Sequence, residues 1–231
     1  MPLVVDLVSP RSVVDVGCGS GVWLEAFLEA GIDDICGIDG PWVEPSRLLF
    51  PPEFFRAHDL TQPIDLERRF DLAVSLEVGE HLPPDAAPEL VASLTRAAPI
   101  VLFSAAIPGQ RGAEHVNEQW PEYWVELFSQ SGYVAVDAVR PEIWDDPNVA
   151  ACYAQNTAIY CEAAALAANP KLRAAYVRAG ERFPALVHPR LFGEIVARSD
   201  DLTGLLRERL KDALGPARPL ARRAKRALIR G

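Results

Sequence analysis

The chain has 231 residues, with 23 Lys and Arg against 32 Asp and Glu, a formal charge of −9 and 49% hydrophobic residues. That length allows one full domain plus an appendage and buries a sizeable core, which excludes a disulfide-stapled miniprotein, and no internal repeat is visible. The four cysteines, Cys18, Cys36, Cys152 and Cys161, form no C-x-x-C pair and have no zinc spacing. Nothing near Met1 resembles a secretion signal, and no apolar run nears the ~20 residues of a membrane span. A reducing, cytoplasmic setting is expected.

Charge is unevenly spread. Residues 207–231 carry +7 and the preceding 206 carry −16. A body that acidic repels phosphate backbones, so nucleic acid is not expected as the substrate of the main domain.

Apolar runs alternate with amphipathic ones, the pattern of βα units around a mostly parallel sheet. Ser12 to Val16 reads as a buried strand, followed by a helix from Gly21 to Ala30 capped by Ser20 and stopped by Gly31. Asp34 to Asp39, Phe54 to Asp59 and Phe70 to Leu76 read as strands, with proline-broken irregular chain between the first two. Residues 85–98 carry a helical stripe, Ala87, Leu90, Val91, Leu94 and Ala98. Ile100 to Ala106 is apolar enough for a central strand. After a polar loop from Ile107 to Trp120 comes a helix from Pro121 to Ser131. Tyr133 to Val139 and Ala158 to Glu162 are joined too closely for a crossover helix, so they are expected to be antiparallel neighbours. Beyond Ala163 the signals are helical, with Leu202, Leu205, Leu206, Leu210 and Ala213 on one stripe.

The strongest local signal is Asp15-Val16-Gly17-Cys18-Gly19-Ser20-Gly21, in which a strand, a glycine turn and a helix start follow one another. Glycines permit positive φ and close approach of a ligand, and the helix start offers free N–H groups. The spacing departs from the dinucleotide fingerprint, because position 22 is Val. Twenty residues after Gly19, Asp39 stands at a strand end, where a carboxylate can accept from both hydroxyls of a ribose. Asp59 and Glu77 follow the next two strands. With Asp15 they form an acidic rim with no nearby Lys or Arg for a pyrophosphate, which disfavours NAD and an oxidoreductase and favours a ligand that is cationic at its reactive centre.

These residues, Asp15-x-Gly17-x-Gly19-x-Gly21, Asp39-Gly40, Asp59-Leu60 and Phe70-Asp71 through Leu76-Glu77-Val78-x-Glu80-His81-Leu82, resemble the successive motifs of class I S-adenosylmethionine-dependent methyltransferases over residues 10–162. The resemblance implies a Rossmann-like, doubly wound α/β sheet of seven strands with a reversed last strand. A domain over 1–162 would then be followed by a helical C-terminal extension over 163–231. It implies S-adenosylmethionine as cofactor, with S-adenosylhomocysteine as product. Gly17, Cys18 and Gly19 would approach the methionine moiety, Asp39 with Gly40 the ribose, and Asp59 with Leu60 the adenine, while Glu77 would line the pocket largely through its backbone. The N-terminal helical lid common in the family is expected to be nearly absent.

Methyl transfer from a sulfonium is an in-line displacement, so alignment supplies much of the rate and a base is optional. His115 is the candidate general base, with Glu114 or Glu118 to orient it. His81, Asn117, Gln119, Trp120 and Tyr123 are candidate substrate contacts. Trp42, Trp120, Trp124 and Trp144 either stack on a ring or simply pack. The stretch His115 to Trp124, with Arg140-Pro141-x-Ile143-Trp144 and Tyr153-x-Gln155-Asn156, is similar to a bacterial subgroup associated with sugar and natural-product modification. A Mg²⁺ site from His81, His115, Glu118 and Asp145 or Asp146 lacks compact spacing, and no metal is expected. The basic tail reads as a solvated end, or as a short helix on anionic lipid or an acidic partner. The reading is O-methylation of a hydroxyl on a sugar or related small molecule. C- or N-methylation, or a non-catalytic S-adenosylmethionine-binding module, are the alternatives.

Overall fold

The computed structural model describes residues 1–180 and 183–197. The apolar runs become strands β1 (Ser12–Val16), β2 (Asp34–Asp39), β4 (Leu72–Leu76), β5 (Ile100–Ser104) and β7 (Ala158–Glu162), all buried along nearly their whole length. Burial on both faces is what leaves them without alternation in sequence. With β3 (Phe55–Ala57) and β6 (Tyr133–Val136) at its two edges, the sheet has the order β3-β2-β1-β4-β5-β7-β6. Neighbours are parallel except that β7 runs against both β5 and β6. The doubly wound sheet with one reversed strand is therefore as the sequence predicts. Chain direction across the sheet switches between β1 and β4, and the carboxyl ends of those strands flank the crevice where such folds bind ligands.

Strand alternation sorts the core into two layers. Val14, Val16, Ile38, Ala73, Val101 and Phe103 face α3 (Ala87–Ala97) and α4 (Pro121–Gln130). Val13, Ile35, Leu72, Val74, Leu102 and Ile159 face α1 (Pro2–Val8), α2 (Val22–Glu29) and α8 (Pro170–Ala179). Under α4 the rings of Phe128 and Tyr160 stack 3.9 Å apart.

Several boundaries differ from expectation. Gly21, not Ser20, is the N-cap of α2, at φ 84, and the Ser20 carbonyl instead accepts from the Leu49 N–H at 2.9 Å. The sixth strand stops at Val136 because the chain turns back there, with the Ala138 N–H on the Val136 carbonyl at 2.9 Å. Two short helices, α5 (Arg140–Ile143) and α6 (Ala151–Asn156), then occupy the connection that the sequence makes too short for a crossover helix, and they leave β6 and β7 antiparallel as expected. Arg140 anchors this connection. It is buried, donates to Asp137 Oδ2 at 2.6 Å and to the Pro184 carbonyl at 2.9 Å, and lies over the Phe183 ring.

Residues Met1–Leu191 form one compact unit. The sequence boundary falls at 162/163, and beyond it α7 (Ala163–Ala168) packs on β7 while α8 packs on β6 and α1. A second unit, Phe192–Gly231, is described only to residue 197. The Leu202 to Ala213 stripe and the basic tail lie outside the described residues. No helix among the described residues is long and apolar enough to cross a membrane.

Candidate cofactor and acceptor site

The glycine turn sits at the end of β1, tied to β2 by the Gly17 N–H on the Ile38 carbonyl at 2.8 Å. Gly17 has φ 83 and Gly19 φ 53, conformations that only glycine enters cheaply. Gly17 carries a second demand, since a Cβ there would lie 2.8 Å from Val78 Cγ1 and closer still to Cγ2. Asp39 closes β2, buried, and its carboxylate fixes the turn by accepting from the Gly19 N–H at 2.7 Å and the Gly40 N–H at 2.6 Å. Burial, and then the charges of Asp15 and Asp39, push the Cys18 thiol up. Asp15 is buried with its Oδ2 unpartnered, and burial followed by the Asp39 charge pushes its carboxyl up to about 8.

Five of the predicted cofactor residues, Gly17, Asp39, Asp59, Leu60 and Glu77, line one cleft of 530 Å³. Cys18, Gly19 and Gly40 adjoin it through the turn and the Asp39 contacts. Asp59 is exposed and accepts from the Thr61 N–H at 3.0 Å and hydroxyl at 2.8 Å, which hold its carboxyl below the usual range. Trp42 lines the rim. Among the described residues no lysine or arginine lines the cleft, so an anionic pyrophosphate would find acids there and a cation would find partners.

Glu77 does more than lend its backbone. It follows β4 at φ 56, a left-handed conformation for a side chain with a Cβ, and is pinned there by its N–H on the Ser104 carbonyl at 2.9 Å. Its carboxylate accepts from Gln110 Nε2 at 3.0 Å and Asn156 Nδ2 at 3.1 Å. Asn156 in turn accepts from Gln155 Nε2 at 2.8 Å. Gln110 and Asn156 are buried amides that sequence reasoning missed. Two adjacent amides just before an apolar strand were the available signal.

The 107–120 loop is organised by Glu118, which accepts from the N–H groups of Gly109 at 2.7 Å and Arg111 at 2.6 Å. The same carboxylate meets His115 Nδ1 at 2.9 Å. Because a carboxylate only accepts, Nδ1 carries the proton, and in the neutral imidazole Nε2 then holds the lone pair. The Glu80 carbonyl accepts from the N–H groups of Val116 at 2.9 Å and Asn117 at 3.0 Å. This brings His115 edge-on to His81, with ring centres 4.9 Å apart. Of the predicted substrate contacts, His81 lines the cleft. Asn117 is buried and holds the loop together, donating to the Gly79 carbonyl at 3.2 Å and accepting from Gln119 at 2.9 Å. Trp120 is exposed, and Tyr123 stacks edge-on with Trp124. Trp124 is core, packed on Phe103, and Trp144 packs on His188, so the four tryptophans form no common surface.

Glu80, which sequence analysis passed over, is fully buried, and neither carboxylate oxygen accepts a well-formed hydrogen bond among the described residues. Burial and the neighbouring Glu77 charge raise its carboxyl above the ordinary range. One ligand atom from each of Glu80, His81 and His115 lies within 4.8 Å of the other two. Glu118 is spent on His115 and the loop, and Asp145 and Asp146 are outside that group.

A second cavity of 380 Å³ lies on the α1 and α2 side of the sheet, walled by Leu3, Trp23, Leu76, Ile143, Val149 and Tyr153. The ring of Tyr153 meets Trp23 edge-on, and its hydroxyl is pushed up to about 12 by burial and then by the charges of Cys152, Glu77, Glu80 and Asp15. Leu76, at the end of β4, lines this cavity, and the next residue, Glu77, lines the carboxylate-lined cleft.

Residues 3–136 match a family model described as a methyltransferase domain. A tRNA U34 carboxymethyltransferase of Idiomarina loihiensis is 40% identical over 79 residues, 34% of this chain and only 21% of that protein. Among solved structures, Streptomyces venezuelae DesVI superposes with a TM-score of 0.51 at 14% identity, covering 69% of this chain and 87% of that one. A candidate O-methyltransferase of Nostoc punctiforme gives 0.51 at 15%, covering 69% and 53%. These likenesses agree on the fold, and the family match spans more than half of the sequence. The chain belongs to the methyltransferase domain family, and S-adenosylmethionine is the methyl donor of its class I fold.

Proposed function

We propose that the chain transfers the methyl group of S-adenosylmethionine to a hydroxyl of a sugar or related small molecule. Gly17 to Gly19 take the methionine portion, Asp39 the ribose hydroxyls, and Asp59 with Leu60 the adenine. The hydroxyl oxygen attacks the methyl carbon, and a C–O bond forms as the S–C bond breaks. Bound there, S-adenosylmethionine would supply an electrophilic methyl whose S–C electron pair would return to sulfur, and the hydroxyl proton would depart at the end of the cleft where His81 meets His115.

The observation that carries the reading is that His81, edge-on to His115, lines the carboxylate-rich cleft, with no lysine or arginine in the lining among the described residues. A phosphate backbone would meet acids there, whereas a neutral polyol would not be repelled.

The test is incubation of the full chain with S-adenosylmethionine and panels of glycosides, aromatic amines, carbon acids and transfer RNA, with mass spectrometry of each acceptor. One added methyl on a hydroxyl is expected. Methyl only on nitrogen, carbon or RNA overturns the acceptor class, and no transfer to any panel favours a binding module. His115→Ala should lower kcat by roughly 10²–10⁴-fold while leaving S-adenosylhomocysteine binding in place.

A further inference from the structure

We propose that Glu80, His81 and His115 form a binding site for one divalent first-row metal cation beside the cofactor cleft. The first observation is geometric, three ligand atoms within 4.8 Å of one another on two chain segments. These segments are stitched together by the Val116 and Asn117 N–H groups on the Glu80 carbonyl, so the spacing is built into the backbone. Bonds near 2.1 Å hold ligands about 3.4 Å apart in a tetrahedral site, so a bound cation would draw these three atoms closer together.

The second observation is independent. The Glu80 carboxylate is fully buried and accepts no well-formed hydrogen bond among the described residues, only looser approaches of the Glu80 and Ala106 N–H groups, although buried carboxylates are costly unless something compensates them. Its neighbour Glu77 is a second acid whose donors are already the Gln110 and Asn156 amides, and no lysine or arginine among the described residues lines the cleft. A cation bound there would compensate the buried carboxylate.

The third is the support behind one ligand. Glu118 accepts the Nδ1 proton of His115 and so leaves Nε2 with its lone pair, the carboxylate–histidine relation that fixes the tautomer of metal-ligating imidazoles. Gly112 makes room for that nitrogen, since a Cβ there would lie 2.7 Å from His115 Cδ2 and closer still to Nε2. Two imidazoles and one carboxylate suit Mn²⁺, Fe²⁺, Co²⁺ or Zn²⁺ better than Mg²⁺, which prefers oxygen throughout. The purpose of the site rests on the hydroxyl reading above, because a cation there would bind the acceptor oxygen and lower its pKa. His115 would then act as a ligand, and the hydroxyl proton would pass to solvent.

The test needs no acceptor. The full chain is stripped with EDTA and titrated with Mn²⁺, and the free-ion signal is followed by electron paramagnetic resonance, with Zn²⁺ competition. One Mn²⁺ per chain is expected, displaced by Zn²⁺. Glu80→Gln and His115→Ala should weaken uptake by more than about 100-fold and Glu118→Gln by roughly 10–100-fold. Calorimetry with S-adenosylhomocysteine establishes that each variant is folded. Absence of uptake of Mn²⁺ and Zn²⁺ by the wild-type chain, or undiminished uptake by folded Glu80→Gln and His115→Ala, overturns the site. Cation binding without methylation of any hydroxyl would overturn the acceptor reading alone.

Discussion

Alanine at Gly17 and alanine at Gly19 should have different costs, although both residues have positive φ in the same turn. Each pays the left-handed penalty of a Cβ, about 1–2 kcal/mol. Gly19 has nothing within 4 Å of its would-be Cβ, so Gly19→Ala stops there. At Gly17 the new methyl meets both γ-carbons of Val78, one of them at 2.8 Å, and overpacking of that kind adds about 1–3 kcal/mol. The totals are about 1–2 kcal/mol for Gly19→Ala and about 2–5 kcal/mol for Gly17→Ala. Urea unfolding of both variants at one pH measures the difference, and Val78→Ala completes a double-mutant cycle, since it removes the two clashing carbons. The expected coupling is about 1–3 kcal/mol in favour of the double variant. Equal destabilisation by the two alanines, or a coupling within about 0.5 kcal/mol of zero, refutes the steric argument.

Asp15 should make the unliganded chain less stable as pH rises. Its folded carboxyl is raised from 3.8 to about 8, so between those values the folded state holds a proton that the unfolded chain has lost. The stabilisation is complete below the unfolded value and is lost as pH climbs through the folded one, by an upper limit of a few kcal/mol. Urea midpoints at pH 5 and pH 8 should therefore fall more steeply for the wild type than for Asp15→Asn, and parallel slopes would refute this. At the buried Arg140, Arg140→Leu strands the Asp137 carboxylate and should cost about 3–5 kcal/mol. Arg140→Leu with Asp137→Leu should recover much of that loss in the same unfolding assay, and a double variant as unstable as the single one would count against a stranded charge.

What the sequence made legible was whatever depends on local pattern. β2 and β7 are continuous apolar runs and their limits match to the residue, because burial on both faces leaves no other strand reading. The glycine turn and the acids at strand tips were equally readable, since each sits at a fixed offset from a strand end. Glu80 was not readable, although it lies in a quoted motif, because its meaning comes from burial and from a loop more than thirty residues away. Asn117 shows the converse. A polar side chain in a polar loop suggests a substrate contact, yet its amide completes the Gly79 carbonyl. Gln110 and Asn156 are 46 positions apart, yet both donate to Glu77 and Asn156 Nδ2 also donates to Gln110 Oε1 at 3.0 Å, so no spacing rule relates them.

The insertion of β7 between β5 and β6 has a consequence for biosynthesis. During synthesis β5 and β6 leave the ribosome well before their shared neighbour, so each presents a bare row of amides and carbonyls until residue 162 emerges. Asn156, which completes the hold on Glu77, arrives in the same late stretch. A nascent chain therefore gains protection from edge pairing and a finished donor floor at nearly the same moment, and chains halted before β7 should be prone to aggregate.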